Sequence, residues 1–379
     1  MIWPLRPVSD LCEFAYDCVN KTAPAVDYET PFKMIRTTNV KGGFIYLDEV
    51  KYVTEDTFEK WTRRSRPQYG DVILTREAPV GEVGRCTFDQ TKSIFLGQRL
   101  FHYRPDPKML DWNFLAYVLQ SPFVQNKLQG MGFGATVAHI KVGDAEHLAI
   151  PCPGLDIQRQ VGSTLANYDD LIETNRRRIA LLEESARLLY REWFVKLRFP
   201  GHELVEKVDG VPAGWKRQTL KQIAFLNYGK ALKESERKEG EVPVYGSSGI
   251  VGRHNKALVP GPSIILGRKG NVGSVYFSRN ACHPIDTVYF ISNQQTTYYL
   301  YLLLQTMNFI SSDAAVPGLN REYAHGLPVL CPSPSILSRF EAEVDSLFQQ
   351  AETLQRMNNL AAQARDALLP KLMSGQLTV

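Results

Sequence analysis

Apolar residues recur at alternating steps of three and four between residues 157 and 196. The repeating positions are Leu165, Tyr168, Ile172, Asn175, Ile179, Leu182, Ala186, Leu189 and Trp193. This spacing is typical of a helix that packs a narrow seam against another helix. Roughly forty residues rising 1.5 Å each give a rod about 60 Å long. The alternative is a long helix bent over a domain core. Asn175 is the polar seam position, where an amide costs stability but can fix the register.

The same kind of pattern returns near the end of the chain and supplies a partner for the first helix. Its positions are Phe340, Val344, Leu347, Ala351, Leu354, Met357, Ala361, Ala364, Leu368 and Leu372. The short step from Leu354 to Met357 predicts a local stammer. Pro370 marks the place where this helix is expected to end or kink. We therefore expect a central and a terminal helix that form an antiparallel coiled coil.

Four sequence blocks of the first half recur in the same order in the second half. The pairs are 3–14 with 215–226, 70–84 with 262–276, 114–121 with 299–306 and 148–153 with 327–332. Short β-branched runs at 71–75 and 263–266 read as strands, and 111–119 and 297–304 read as helices. The predicted class is α+β, with two mixed α/β domains joined by the long helices and an internal pseudo-twofold repeat. The predicted segments are 1–155, 156–199, 200–335 and 336–379.

Composition limits the class of protein. The 379 residues are 44% hydrophobic, which is enough for packed cores and predicts two or three domains. Six scattered cysteines lack zinc spacing, so we expect reduced thiols and a cytoplasmic location. No signal peptide and no membrane span are expected. The net charge of +4 permits DNA binding through local basic patches but does not indicate it alone.

Familiar catalytic motifs are absent from the sequence. There is no phosphate-binding loop, no dinucleotide fingerprint, no H-E-x-x-H and no G-x-S-x-G. A nuclease could use Asp27, Glu49 and Lys51 around a metal ion, but the second copy has no equivalent carboxylates. We therefore expect no catalytic residues, no metal site and no cofactor. A stand-alone nuclease and a coiled-coil protein scaffold remain the alternatives.

Loops between the predicted strands carry the side chains that reading double-stranded DNA requires. Cations and hydroxyls contact phosphates, while guanidinium groups that donate two hydrogen bonds and side-chain amides read base edges. In the first copy the candidates are Arg36, Thr38, Asn39, Lys41, Arg63, Arg64, Arg76, Thr136, His139 and Lys141. In the second copy they are Tyr245, Ser247, Ser248, Arg268, Lys269, Asn271, Asn320 and Arg321. Each loop taken alone could equally be a solvated turn. The duplication, with different chemistry on a repeated frame, favours recognition of two different sequences.

Several motifs resemble the specificity subunit of type I restriction–modification systems. ARLLYREWFV at 186–195 with FPGH at 199–202 resembles the central helical region of that family. ARDALLPKLMSG at 364–375 resembles its distal helical region. GRKGNVGS at 267–274 and the turn at 212–214 resemble blocks of its target recognition domains. The resemblance covers nearly the whole chain.

The resemblance implies a function without catalysis. Two target recognition domains would each read one half of a split, asymmetric DNA site, and the paired helices would set the gap. Two methyltransferase subunits would dock on the helical regions, and restriction subunits would join that complex. The partner-binding candidates are Tyr190, Trp193 and Phe194; Trp193 fits the seam as a core residue, whereas Phe194 lies off it. In the first copy Glu77 follows Arg76 where Lys269 follows Arg268, so the two arginines need not act alike.

Overall fold

The structure is a computed structural model that describes residues 3–88, 93–131, 139–309 and 318–377. The chain divides into two compact units. Unit 1 contains residues 1–175 and 356–379, and unit 2 contains residues 176–355. Both boundaries fall inside long helices, so each unit includes one part of each long helix.

Unit 1 is built from short strands and helices. The strands are β1 (Leu5–Pro7), β2 (Cys12–Asp17), β3 (Lys33–Ile35), β4 (Val40–Lys41), β5 (Phe44–Ile45), β6 (Lys51–Tyr52), β7 (Val72–Thr75), β8 (Val83–Arg85), β9 (Ile94–Leu96), β10 (Leu100–Pro105) and β11 (Ala149–Pro151). The helices before the long one are α1 (Glu55–Trp61), α2 (Trp112–Gln120), α3 (Pro122–Met131) and α4 (Val142–Glu146). An antiparallel sheet has the order β2-β10-β7-β8, and a mixed sheet has the order β6-β3-β9 with β3 and β9 parallel. The strands β1 and β11 pair antiparallel.

Unit 2 repeats this arrangement. Its strands are β12 (Lys207–Val208), β13 (Val211–Pro212), β14 (Lys216–Thr219), β15 (Asn227–Tyr228), β16 (Val242–Gly246), β17 (Gly249–His254), β18 (Ser263–Gly267), β19 (Val275–Ser278), β20 (His283–Pro284), β21 (Val288–Ile291) and β22 (Pro328–Cys331). Its short helices are α6 (Leu220–Ile223), α7 (Tyr298–Thr306) and α8 (Arg321–Gly326). The sheet orders β15-β21-β18-β19 and β17-β16-β20 match those of unit 1, including the parallel pair β16 and β20. The predicted internal repeat is therefore confirmed.

The two long helices are α5 (Leu155–Tyr190), which continues into a π-helical turn over Arg191–Val195, and α9 (Pro334–Met373). In unit 1, residue 169 contacts residue 365 and residue 175 contacts residue 358, so the helices run antiparallel there. In unit 2, the rings of Tyr190 and Trp193 contact the ring of Phe340. The expected antiparallel pairing is confirmed in unit 1, and in unit 2 the same two helices are in contact.

The seam of α9 differs from the predicted one at two positions. Asn358 is 4% exposed and lies in the seam, whereas Met357 is 44% exposed. Likewise Arg365, rather than Ala364, bonds to α5, through Asp169. With Asn358 and Arg365 included, the steps of four and three continue without a break, so the predicted stammer is wrong. Two polar residues in seam positions had hidden the regular pattern.

Each core extends from the sheets onto the long helices. Residues 114–119 of α2 are buried, and this helix starts at a cap where Asp111 Oδ1 accepts the Phe114 N–H at 2.8 Å. In unit 1 the core reaches Leu165 on α5 and Leu372 on α9. Burying such a leucine contributes about 1.5–3 kcal/mol. The helices are thus part of each domain's core rather than free linkers.

Candidate nucleic-acid interface

The backbone fixes Arg268 directly after β18 in unit 2. Its N–H donates to the Thr287 carbonyl at 3.0 Å, and its own carbonyl accepts the Leu319 N–H at 2.8 Å. The guanidinium donates from Nη1 to the Asp286 carbonyl at 3.0 Å. It also lies 5.1 Å from the centre of the Tyr228 ring. Arg268 is therefore oriented from several sides while remaining partly exposed.

A second arginine contacts the same ring. Arg321, in the first turn of α8, lies 4.8 Å from the centre of the Tyr228 ring and 5.5 Å from that of Phe225. Its buried Nε has no hydrogen-bond partner among the described residues, and the Glu322 carboxylate is 3.6 Å away. A buried N–H normally has an acceptor. Two cations beside a half-exposed tyrosine form a surface suited to phosphate oxygens and to a stacked base.

Two loops of unit 2 that the sequence placed apart meet beside Arg268. The Asn271 N–H donates to Ser247 Oγ at 3.4 Å, and Ser274 Oγ donates to the Ser247 carbonyl at 2.6 Å. Ser248, Lys269 and Asn271 are exposed on this surface. Tyr245, predicted as a DNA-binding residue, is instead buried because it packs in the small core between the two sheets of unit 2.

Arg76 occupies the equivalent place in unit 1 but is oriented differently. Its N–H donates to the Arg99 carbonyl at 2.9 Å and its carbonyl accepts the Ile140 N–H at 3.0 Å, as for Arg268. The side chain, however, is only 7% exposed. Its Nε has no hydrogen-bond partner in the part of the chain that the structure describes. The burial of Arg76 contradicts the prediction that it contacts DNA.

The segment 36–43 of unit 1, here called the 36–43 loop, presents Thr38 and Lys41 to solvent. Asn39 is buried, and its Oδ1 accepts the Arg36 N–H at 2.9 Å. Arg36 in turn donates from Nη2 to the Glu49 carbonyl at 3.1 Å. Asn39 is thus a structural residue of the turn, contrary to its predicted role, and Arg36 is partly committed to holding the loop.

A basic pocket lies elsewhere on unit 1. Lys21, Lys60, Arg63 and Arg64 line it together with Asp17. Arg64 Nη1 forms an ion pair with Asp17 Oδ1 at 2.8 Å, but the guanidinium is largely exposed, so the pair contributes little to stability. Arg63 and Arg64 were predicted, whereas Lys21 was not, because it lies far from them in sequence.

The remaining candidates of unit 1 surround the start of α4. His139 and Lys141 are exposed, and Lys141 precedes α4 as Asn320 precedes α8 in unit 2. Asn320 Oδ1 accepts the backbone N–H groups of residues 322 and 323. That bonding makes Asn320 a helix cap; the residue is also exposed, so its role in DNA binding stays a prediction. Thr136 lies outside the described residues.

The aromatic residues predicted to bind a partner belong to the core of unit 2. Tyr190, Trp193 and Phe194 are all buried, and burial raises the pKa of Tyr190 to about 12. The Phe194 ring lies 4.7 Å from that of Phe340 and 4.8 Å from that of Tyr299. The core interpretation of Trp193 is confirmed. The interface interpretation of Phe194 is wrong, because its ring packs inside this core on the same helix face as Tyr190.

Exposed apolar residues occur at repeated positions on the long helices. Leu181 of unit 2 is 67% exposed and Leu360 of unit 1 is 66% exposed. The fourth repeated block begins at residue 148 in the first copy and at residue 327 in the second. Leu181 and Leu360 each lie 33 residues after the start of that block. An exposed arginine precedes each leucine by four residues, Arg177 in unit 2 and Arg356 in unit 1. Residues four apart lie on one face of a helix, so each unit carries the same small surface.

Metal binding and membrane insertion find no support in the described ranges. Asp27 and Glu49 are exposed, and no group of three His, Cys, Asp or Glu side chains there could hold a metal ion. Among the same residues, no helix has the length and apolar character needed to cross a bilayer.

Fold and surface together define a duplicated recognition domain attached to paired helices. The sequence matches the family model described as type I restriction modification DNA specificity domain over residues 3–184 and 212–320, more than half of the chain. The chain belongs to this family.

Individual relatives agree with the family match. The chain is 24% identical over 369 residues to the type I restriction enzyme MjaIX specificity subunit of Methanocaldococcus jannaschii, covering 89% of this chain and 84% of that protein. It is 21% identical over 441 residues to the EcoKI specificity subunit of Escherichia coli, covering 99% and 89%. The fold is similar to the crystal structure of a type I restriction–modification S subunit from M. genitalium, with a TM-score of 0.62, 20% identity and coverage of 98% and 96%.

Proposed function

We propose that this chain is the DNA-specificity subunit of a type I restriction–modification system. It would recognise a bipartite, asymmetric target in double-stranded DNA and recruit methyltransferase and restriction subunits. The observation that carries the proposal is the repeated sheet frame with different exposed chemistry in its two copies. Unit 2 presents Arg268, Tyr228 and Arg321, whereas unit 1 buries Arg76 and presents Lys41 on another loop. One frame with two surfaces suits the reading of two dissimilar half-sites.

Roles within the chain follow from this division. Residues 1–155 and 200–335 would each read one half-site, while 156–199 and 336–379 would set the spacing between them. In unit 2 we assign DNA contacts to Arg268, Arg321, Lys269, Ser248 and Asn271. Ser247 would hold this surface in place through its hydrogen bonds. Tyr228, which the sequence did not predict, would also contact DNA. In unit 1 we assign DNA contacts to Thr38, Lys41, Arg63, Arg64, His139 and Lys141. Cations would contact phosphates and fix the position of the protein along the duplex, and side-chain amides or guanidinium groups that donate two hydrogen bonds would read bases.

The paired helices would act as a ruler. Insertion of one heptad into both α5 and α9 should lengthen the unread spacer and leave both half-sites unchanged. Methylome sequencing of a strain carrying that variant and its partners would measure the spacer. An unchanged spacer would refute the ruler.

We propose that two methyltransferase subunits bind, one to each copy of the helical surface. The exposed pairs Arg177 with Leu181 and Arg356 with Leu360 support this stoichiometry, because an exposed leucine repeated at equivalent positions serves no core. Leu181→Ser and Leu360→Ser should each remove one bound subunit, measured as mass by light scattering. Leu188→Ser, at another exposed leucine of α5, is the matched control. Two subunits retained by the Leu181→Ser, Leu360→Ser double variant would contradict the assignment.

In the proposed role the chain would carry out no chemical step itself, and the methyl donor and ATP would bind its partners. Purified chain with Mg²⁺ should therefore leave DNA uncut. Cleavage by the chain alone, lost in Asp27→Asn or Glu49→Gln, would favour the nuclease alternative.

DNA binding by the complex with its methyltransferase subunits tests the main proposal. The target is first identified from mapped adenine methylation. Arg321→Gln should then weaken binding and, if it contacts a phosphate, lower the slope of log K against log salt by about one. If it reads a base, discrimination at one position should fall by about 1–3 kcal/mol.

The control for Arg321→Gln is Arg339→Gln, an exposed arginine on α9 of the same unit. It carries the same charge change without touching the predicted interface. Equal effects of the two variants would mean that only net charge matters. Unaltered binding by Arg321→Gln together with Tyr228→Ala would remove this surface from the interface.

A further inference from the structure

Asp169 of α5 is a buried carboxylate with three hydrogen-bond donors. It accepts from Arg85 Nη2 at 2.9 Å, from the Tyr117 hydroxyl at 2.5 Å and from Arg365 Nη1 at 2.5 Å. The donors belong to β8, α2 and α9, so one side chain joins the sheet of unit 1 to both long helices. A carboxylate 1% exposed is stable there only because the donors compensate for its lost hydration.

Arg85 extends this network to the 36–43 loop. Its backbone N–H donates to the Gly43 carbonyl at 3.1 Å, and its Nε approaches the same carbonyl at 3.4 Å. The guanidinium lies 5.4 Å from the centre of the Phe44 ring. From Nη1 it also donates to Asn113 Oδ1 at 2.9 Å. The same guanidinium therefore holds the end of the loop and the carboxylate on α5.

The loop depends on this strand for its orientation. The Gly43 N–H donates to the Val83 carbonyl at 2.9 Å, and the Gly42 N–H donates to Glu82 Oε2 at 3.0 Å. Lys41 directly precedes these glycines, so the position of its ammonium group follows the position of β8. A shift of Arg85 would move the point to which the loop is attached.

We propose that Arg85 is a positioning residue that couples the DNA-contacting 36–43 loop to the Asp169–Arg365 contact between α5 and α9. This inference rests on the proposed function for the role of the loop. Its consequence is that a change in the packing of α9 against α5 in unit 1 alters how that unit reads its half-site. Arg85 itself is buried, so it would not contact DNA directly and would act through the loop.

Unit 2 provides an internal comparison. Arg279, just after β19, contacts the Tyr298 hydroxyl and Asp345 Oδ1, the latter at 3.2 Å. It also lies 3.6 Å from Glu352 Oε2. These partners lie on α7 and α9 rather than on a candidate DNA loop. A sheet-to-helix ion pair therefore exists in both units, but only that of unit 1 connects to a predicted recognition loop among the described contacts.

The variant that tests the coupling is Arg365→Gln. The described partners of Arg365 are Asp169 and Asp366, so it reaches the loop only through Asp169. Its side chain is 23% exposed, which lets the variant fold more readily than a change at Arg85. Arg365→Lys, which keeps one charge-assisted contact, should recover part of the effect, and Arg279→Gln is the matched control in unit 2.

Hydrogen exchange of the full chain gives the first readout. Arg365→Gln should speed exchange of the Gly42 and Gly43 amides, and Arg279→Gln should leave them at the wild-type rate. DNA binding by the complex gives the second. Affinity should fall about 2- to 30-fold through weaker discrimination at one half-site, the one that Lys41→Ala also affects.

Each outcome decides between the proposals. Wild-type exchange at both glycines in Arg365→Gln, with unchanged discrimination, overturns the coupling. Equal loss at both half-sites indicates general destabilisation and also overturns it. A wild-type complex that discriminates no DNA sequence refutes the proposed function, whereas the exchange result would still report on the contact between the loop and the helices.

Discussion

The buried pair of asparagines in the seam of unit 1 allows a quantitative test of how the long helices are held in register. Asn175 Nδ2 donates to Asn358 Oδ1 at 2.9 Å, and Asn358 Nδ2 donates to the Ile172 carbonyl at 3.2 Å. Both amides are buried. Asn175→Leu removes one partner and leaves Asn358 Oδ1 buried without its donor.

The cost follows from the burial of the orphaned group. Leaving a buried polar atom unsatisfied costs about 1–3 kcal/mol, whereas replacing both partners by apolar groups can be nearly neutral. We therefore expect Asn175→Leu and Asn358→Leu each to lower the stability of unit 1 by about 1–3 kcal/mol. The double variant should be less destabilised than the sum, with a coupling energy of about 0.5–3 kcal/mol.

Scanning calorimetry of the full chain measures these differences. Unit 1 has about 200 residues, and for that size each kcal/mol shifts Tm by about 2–4 °C. Gln363→Leu, at an exposed position of α9 in unit 1, should change stability by no more than about 0.5 kcal/mol. The reasoning fails if Asn175→Leu alone is as stable as the wild type. It also fails if the two single changes are additive.

Two further predictions concern glycines of unit 1 and a buried histidine of unit 2. Gly162→Ala should destabilise unit 1 by about 1–3 kcal/mol because its Cβ would lie 2.8 Å from the Phe114 nitrogen. Gly143 has open space around it, so Gly143→Ala should instead stabilise unit 1 by up to about 1 kcal/mol. Thermal unfolding of the two variants and the wild type measures both effects. Burial lowers the pKa of His325, whose Nε2 accepts the Leu226 N–H at 3.0 Å. Its stabilisation is therefore present above about pH 6.5 and lost as the pH falls through the lower folded-state pKa. Urea unfolding at pH 5 and 7.5 should show this loss in the wild type and less of it in His325→Gln.

Apolar periodicity predicted the architecture well because it reflects burial directly. The seam of α5, from Leu165 to Trp193, and the repeated blocks all lie where the spacing placed them. The error in α9 arose from Asn358 and Arg365, which are polar yet lie at seam positions. A pattern of apolar residues cannot register a position whose partner is another buried amide or a carboxylate such as Asp169.

The site was harder to predict than the frame. The sequence identified loops rich in cations and amides, but it could not show which side chains the turns themselves use. Asn39 and Asn320 satisfy backbone N–H groups, a common role for asparagine. Conversely, Tyr228 became a candidate only when folding placed Arg268 and Arg321 beside it, from segments about forty and ninety residues away.

Phe194 shows that a coiled-coil seam covers only part of the buried face of a helix. It lies off the seam that ends at Trp193, and for that reason the sequence assigned it to the surface. Residues four apart share a helix face, however, and Tyr190, four residues before Phe194, lies with it in the core of unit 2. The face that a domain core covers is wider than the narrow seam that packs on one other helix.

The internal repeat separates structural from functional constraints within a single chain. Core residues of the long helices differ between the copies, since Trp193 and Phe194 lie in the core of unit 2, whereas Leu372 and Met373 lie in the core of unit 1. Exposed Leu181 and Leu360, by contrast, are identical in type and in exposure. Packing tolerates exchange of one apolar residue for another, whereas an exposed leucine has no packing to satisfy. The repeated surface leucine, combined with variation in the core and in the candidate DNA-binding loops, therefore supports the proposal that two copies of one partner bind this chain while its two units read different sequences.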